Sequence, residues 1–457
     1  MATVLTPGPT YAEMRQPSRL PAALRRRAVE QARRNELDPL NLFNITWRNR
    51  EDRVRHVVLP RELTGVAANI VVLLGKDFPS GSHKVGPAYA TLAEGQLAGE
   101  ILPGENTIIG PSTGNFGIGT AYIAHLMGYR CVVIMPDKMS AERYDRIRRY
   151  GGELDLTPGT ESDVILVLER TEHFKRDPKN KILAQFELLP NYRFHRCVTG
   201  DAALDAARGV GDGRVAAFVS APGSAGTLAA GDEIKAKYPD AVVSAVEPDE
   251  CATLTNNGRG THRIEGIGDK MVTLIHNVLT TDYVVRVHDD DCVAGLKVLE
   301  HGRRVVEREL KLASGALEPL AGWFGISTVC NILGAIKTAK LLSLGAGQNV
   351  VTIATDGFDR YPSVMEDLER RRGPVGEAKL AEWYERIFRG ATTDGVLDVR
   401  SGVQKERLFR QKREVWSTFG YSDAYLERMK SQAFWDEEYA KIGPIDAGIA
   451  ASRTLPE

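Results

Sequence analysis

Six short apolar runs punctuate this chain of 457 residues, and they constrain its fold more than any other feature. They lie at 69–74, 106–109, 131–135, 215–220, 242–246 and 349–354, and amphipathic helical stretches such as 88–96 and 141–150 fall between them. A strand covered on both faces reads as a continuous Val/Ile run and not as an alternation, the pattern of a parallel sheet with helices on both sides. The expected class is therefore α/β, and the length permits two or three domains. The formal net charge of -1 creates no global field for nucleic acid or an acidic membrane. No run of about 18 apolar residues predicts a membrane span, and no secretory apolar region follows the N-terminus. The cysteines Cys131, Cys197, Cys251, Cys292 and Cys330 are scattered without a C-x-x-C. That spacing speaks against a disulfide framework or a zinc site and for a reducing, cytoplasmic compartment.

Three loops carry the chemistry. Pro79-Ser80-Gly81-Ser82-His83-Lys84 follows the first apolar run and delivers a lysine to a helix start among glycine and small hydroxyl residues. A lysine there can lose its proton and condense with an aldehyde; it can equally be an ordinary solvated residue. Pro111-Ser112-Thr113-Gly114-Asn115-Phe116-Gly117 places hydroxyls and backbone N–H groups at a second helix start. That is an anion site or simply a cap and a tight turn. Ala221-Pro222-Gly223-Ser224-Ala225-Gly226-Thr227 is small enough to admit a phosphate against its backbone. It is not a Walker loop, and a nicotinamide-dependent dehydrogenase is a weak reading because no full dinucleotide fingerprint follows the first strand.

In this order the loops resemble those of fold type II pyridoxal-phosphate enzymes, specifically the cysteine synthase and cystathionine β-synthase group of the tryptophan synthase β superfamily. That group reads roughly S-G-S-x-K, T-S-G-N-T-G and G-x-G-T-G-G-T. Gly128 to Pro136 with Lys138-Met139-Ser140, Gln185-Phe186, Glu265-Gly266-Ile267-Gly268 and Gly325-Ile326-Ser327 extend the likeness over roughly residues 65 to 365. His83 before the lysine is more similar to the tryptophan synthase β and threonine synthase branches. The resemblance implies two parallel-sheet α/β domains with pyridoxal 5'-phosphate in the cleft between them, carried by Lys84 as a Schiff base. It implies that the freed Lys84 amine removes the α-proton, with His83 beside it, and that Asn115 bonds the pyridine 3′-oxygen. Gly223, Ser224, Ala225, Gly226 and Thr227 are implied to hold the phosphate, and Ser112, Thr113, the backbone near Phe116 and Gln185 the substrate carboxylate. Gly114 and Gly266 complete the implied substrate site, and no metal is expected. Ser327, if it faces the pyridine nitrogen, offers only a neutral hydroxyl, which makes the ring a weaker electron sink and favours loss of a β-substituent over transamination. A serine there is otherwise a helix cap.

The function expected from this likeness is β-replacement on an activated serine, O-acetylserine or O-phosphoserine, with sulfide or another nucleophile. Cysteine or a β-substituted alanine would form by way of an aminoacrylate. The alternative is a β-eliminating lyase, a cysteine desulfhydrase or a serine/threonine dehydratase. A silent scaffold that binds a partner through its C-terminal helices is a further reading, opposed by the intact lysine and loops. A small amino acid is the expected substrate and a homodimer the assembly implied. Four segments are expected: an arm at 1–64 packed on the core, a lysine and carboxylate-loop region at 65–200 containing the smaller domain, a larger domain at 201–365 with the phosphate loop, and a helical extension at 366–457. Aromatics such as Trp383, Trp416 and Trp435 within the charged extension point to docking on the main body. Two departures stand out: Lys84-Val85-Gly86-Pro87 replaces the usual Lys-Asp-Arg, and Phe116 replaces a small threonine, a change read as a bulkier mouth.

Overall fold

The computed structural model describes residues 8–453 apart from 113, 161 and 162. Its strands are β1 (His56–Val58), β2 (Asn69–Leu74), β3 (Thr107–Pro111), β4 (Arg130–Pro136), β5 (Glu153–Thr157), β6 (Asn180–Ile182), β7 (Val215–Ser220), β8 (Val242–Pro248), β9 (Tyr283–Val287), β10 (Asn349–Ala354) and β11 (Val396–Asp398). Among the described residues they form two sheets, one of seven strands in the order β1-β2-β10-β7-β8-β9-β11 and one of four in the order β5-β4-β3-β6. The smaller sheet is parallel throughout. The larger is parallel at its centre, but β1 and β11 run antiparallel along its two edges.

The apolar runs explain themselves in β2. Ile70, Val72 and Leu74 pack on one side with the helix Ile326–Leu341, whereas Val71 and Leu73 pack on the other with the helices Val85–Leu97 and Asn115–Leu126. Side chains alternate across a strand, so a strand covered on both faces must be apolar at every position. All six predicted strands form, with ends within two residues of those expected. Of the five unpredicted ones, β1, β6 and β11 have three residues each and β5 reads Glu-Leu-Asp-Leu-Thr without a buried run, whereas β9, Tyr-Val-Val-Arg-Val, is apolar and mostly buried and was missed outright.

The larger sheet takes strands from all four expected segments, β1 from the arm, β2 from the lysine region and β11 from the helical extension included. In the arm, Leu20, Leu24, Ala28, Leu40 and Phe43 form a separate small cluster. The buried Trp47 donates its Nε1–H to Thr199 Oγ1 at 2.9 Å. In the extension Trp383, Trp416 and Trp435 are all buried against the body, and Trp416 Nε1–H donates to the Val272 carbonyl at 2.9 Å. No helix among the described residues is long and apolar enough to cross a membrane.

Candidate active site

The chemistry-bearing loops all leave the carboxyl ends of strands: residues 75–84 after β2, 112–117 after β3, 221–227 after β7 and 355–361 after β10. Parallel α/β sheets place ligands at that edge. The first loop turns sharply through Ser80 and Gly81, both left-handed at φ 61° and 79°. It ends at Lys84, which caps the helix Val85–Leu97. Lys84 Nζ lies 3.4 Å from Gln185 Oε1. From Gln185 a short relay reaches the third loop, for Asn191 Nδ2 donates both to the Gln185 carbonyl at 2.9 Å and to Ser224 Oγ at 3.0 Å. The Lys84 backbone also packs on the second loop's helix, where a Cβ on Gly119 would stand 3.2 Å from the Lys84 carbonyl. Lysine, carboxylate loop and phosphate loop thus converge.

The third loop is a cradle of donors. The N–H groups of Gly223, Ser224, Ala225 and Thr227 donate to no atom of the described chain, and that of Gly226 reaches only Ser224 Oγ, at 3.4 Å. Buried N–H groups call for an acceptor, and a turn passing through a left-handed residue gathers them into an anion-binding concavity. Ala225 supplies that residue at φ 63°. The helix Ala229–Lys237 starts just beyond and adds its positive end. A Cβ on Gly226 would stand 2.2 Å from Asn191 Oδ1 and 2.8 Å from the His195 ring. Thr227 Oγ1 is tied to Ser220 Oγ at 2.7 Å. A phosphate fits this donor set, and a lysine able to form an imine stands at the other end of the relay, so the residues present suit pyridoxal phosphate.

Around the lysine the polar groups are neutral by burial. Burial, with Lys84 next in importance, holds His83 well below the ordinary imidazole range. Its ring stacks edge-on against His195 at 5.1 Å and lies 5.5 Å from Trp47. His195 is likewise held neutral, by burial first and then by His83 and Lys84. One π-helical turn, His195–Thr199, interrupts the surrounding helix there, a distortion frequent at functional sites. Ser112 organises its own loop: its Oγ accepts from Gly114 N–H at 3.1 Å and Gly117 N–H at 2.8 Å. Thr113 lies outside the described residues. Gly114 leaves room for Arg143, whose Nη1 would be 2.5 Å from a Cβ there.

Phe116 is buried in the core beside helix and sheet residues, so its ring does not widen or narrow the mouth as its size suggested; its backbone alone faces the loop. Gly86, the other departure, is a packing residue, because the Phe194 ring passes 2.1 Å from where its Cβ would be. Gly266, at φ 96°, brings its carbonyl within 2.5 Å of a Cβ built on Gly223. Ser327 is buried in the first turn of Ile326–Leu341, and its hydroxyl has no hydrogen-bond partner among the described residues. The cap is made instead by Thr328, whose Oγ1 accepts from Gly325 N–H at 3.3 Å.

Asn115 engages groups that motif reading had not singled out. Its Nδ2 donates to Asp356 Oδ2 at 2.5 Å, and Arg360 Nη1 donates to its Oδ1. Tyr361 OH also donates to Asp356, at 2.9 Å, and Arg143 bonds both Glu265 and Tyr361. Asn191, His195, Asp356 and Arg360 belong to this site and carry no local pattern that a single sequence displays. Asp356 and Arg360 lie five residues or fewer from Tyr361 on the loop after β10, and only the sheet order brings that loop beside Asn115.

Comparison with known proteins agrees with this geometry. Residues 75–356 match the family described as pyridoxal-phosphate dependent enzyme. The cysteine synthase of Staphylococcus aureus is 33% identical over 298 residues, which span 65% of this chain and 88% of that protein. O-acetyl serine sulfhydrylase isoform 3 from Entamoeba histolytica superposes with a TM-score of 0.60 at 25% identity, over 73% of this chain and 92% of its own. A hydrogen sulfide-producing enzyme from Fusobacterium nucleatum does so with a TM-score of 0.57 at 26% identity, over 67% and 95%. The lysine, the phosphate cradle and these likenesses agree: the chain belongs to the pyridoxal-phosphate dependent enzymes of fold type II and is an enzyme of their β-replacement and β-elimination group.

Proposed function

We propose that this enzyme replaces the β-substituent of an activated serine, O-acetylserine or O-phosphoserine, with sulfide or another small nucleophile. The observation that carries the reading is the relay from Lys84 through Gln185 and Asn191 to a loop of unused backbone donors. When bound, pyridoxal phosphate supplies an electron sink that labilises the bonds at the substrate's α-carbon. In this reading Gly223 to Thr227 hold the phosphate and Ser327 donates its neutral hydroxyl towards the pyridine nitrogen. Asn115, held by Asp356 and Arg360, would bond the cofactor's 3′-oxygen. The N–H groups of the loop at Ser112, Gly114 and Phe116, with Thr113 and Gln185, orient the substrate carboxylate. Lys84 takes the α-proton and returns it to the finished product. A subunit pair in the cytoplasm is the setting we attach to this reading. β-Elimination with release of an oxoacid and ammonia is the second reading, favoured by the likeness to a hydrogen sulfide-producing enzyme.

The deciding experiment is a substrate panel of O-acetylserine, O-phosphoserine, serine, cysteine and threonine, with and without sulfide. A β-substituted alanine that forms only when the nucleophile is present supports replacement. Oxoacid and ammonia at the same rate without it select elimination. In parallel, Lys84→Ala is expected to abolish turnover and the borohydride-fixed cofactor while leaving the fold intact. A variant that keeps both would move the chemistry to another lysine.

A further inference from the structure

The chain leaves Gly266-Ile267-Gly268 through Asp269 and passes the phosphate turn as a strap without helix or strand, until Tyr283 opens β9. Residues 271–278 of the strap are all buried, and buried backbone outside a sheet must find its hydrogen-bond partners elsewhere. Gly268 N–H donates to the Pro222 carbonyl at 3.0 Å, and Thr273 Oγ1 to the Ser224 carbonyl at 2.8 Å. Those two carbonyls share their peptide planes with the N–H groups of Gly223 and Ala225. In a trans peptide the N–H points opposite to the carbonyl, so gripping each plane by its oxygen aims an unused donor into the cradle. Leu274 N–H donates to the Phe186 carbonyl at 3.0 Å, next to the Gln185 that faces Lys84.

Every second carbonyl of the strap, at Val272, Leu274, His276 and Val278, accepts from one helix, Gly402–Trp416. The donors are Trp416 Nε1 at 2.9 Å, Lys412 Nζ at 2.9 Å and 2.6 Å, and Lys405 Nζ at 2.7 Å, in that order along the strap. Lys412 is the costly member of the set. It is 1% exposed and forms no ion pair among the described residues; its ammonium rests on the two carbonyls and on the Phe409 and Trp435 rings. A charge buried without a countercharge destabilises a fold, so a lysine in this position needs a reason. The helix lies outside residues 75–356, the part that matches the family, so the support it gives comes from this chain's extension.

We propose that Lys412 is a positioning residue for the cofactor: through Leu274 and Thr273 it fixes the peptide planes of the phosphate turn and the segment that carries Gln185. The assignment rests on the reading of Gly223 to Thr227 as the phosphate cradle, and not on which β-substituent is exchanged. Lys412 holds the carbonyl of Leu274, whose own N–H holds Phe186 and whose neighbour Thr273 holds Ser224. With the strap fixed, the donors are aimed before the phosphate arrives. With the strap loosened, binding must also order the turn, and that ordering lowers affinity.

Lys412→Met keeps the aliphatic stem and removes the donors. Cofactor affinity, by titration of the cofactor-free protein, should fall roughly tenfold, the worth of one charged hydrogen bond. At saturating cofactor the phosphorus NMR line of the bound phosphate should also move, which a lysine that only supports the fold would not cause. Thr273→Val cuts the tie to Ser224 and should weaken binding several-fold. Because the two residues act on one strap, the double variant should lose far less than the product of the single losses. Losses that multiply overturn the assignment, as does a Lys412→Met protein with the parental affinity and line position. Should Lys412→Met not fold, Trp416→Phe, which frees the Val272 carbonyl beside Thr273, takes its place in the same cycle under the same criteria. Gly226→Glu checks the cradle separately: unchanged affinity in that variant overturns the phosphate reading and this assignment with it, whereas weakened binding there beside parental binding in Lys412→Met overturns this assignment alone.

Discussion

At the scale of single residues, Ala225 shows how the phosphate loop is compromised. Its φ of 63° suits glycine, and a side chain in the left-handed region costs roughly 1–2 kcal/mol, offset in part by the extra freedom that glycine has when unfolded. Ala225→Gly should therefore gain about 0.5–1 kcal/mol in urea denaturation of the cofactor-free protein. Gly226 is the opposite case, because Asn191 and His195 leave no space for a side chain. Gly226→Glu would force a carboxylate among the donors proposed to hold the phosphate, and cofactor affinity by titration should fall roughly tenfold or more. The motif alone identified this turn and its small residues. The left-handed position and the Asn191–Ser224 contact depend on neighbours 33 residues apart, which spacing does not encode.

At the scale of elements, the helix Gly402–Trp416 matters most. It buries Lys412, whose Nζ donates to the Leu274 carbonyl at 2.9 Å and the His276 carbonyl at 2.6 Å. Phe409 and Trp435 lie beneath the ammonium at 5.6 Å and 5.5 Å. Burial pulls Lys412 down to about 7, below its unfolded value near 10.4. Between those limits the unfolded chain binds more protons, so stability rises with pH from about 7 to about 10, and the penalty is complete below 7. Lys412→Met should flatten that rise relative to the parent, read from urea midpoints at stepped pH; an unchanged slope would mean that the lysine is not buried in solution. Aromatic spacing in the extension did announce docking. It did not say that the docked surface would be residues 272–278, the continuation of the loop that carries Asp269.

At the scale of the whole molecule, the two sheets are joined through buried charge. Arg143, on the helix Ala141–Arg149 that follows β4 of the smaller sheet, meets Glu265 and Tyr361 from the larger part and lies 3.7 Å from Asp356. Removing one member of such a network leaves charge uncompensated, at a cost of about 3–5 kcal/mol. Arg143→Met should lose stability of that order in denaturant titration. The apolar runs made the parallel centre of the fold legible. The antiparallel edges were not, because β1 and β11 have three residues each and take their place from partners and not from pattern. That larger sheet has a temporal consequence. Its β2–β10 seam joins Asn69 to Asn349, 280 positions later, and its far edge is supplied by β11. Contacts so distant in sequence form slowly. A nascent chain therefore leaves the ribosome with β2 unpaired on one side until β10 has been made, exposing an apolar edge for most of synthesis and inviting self-association.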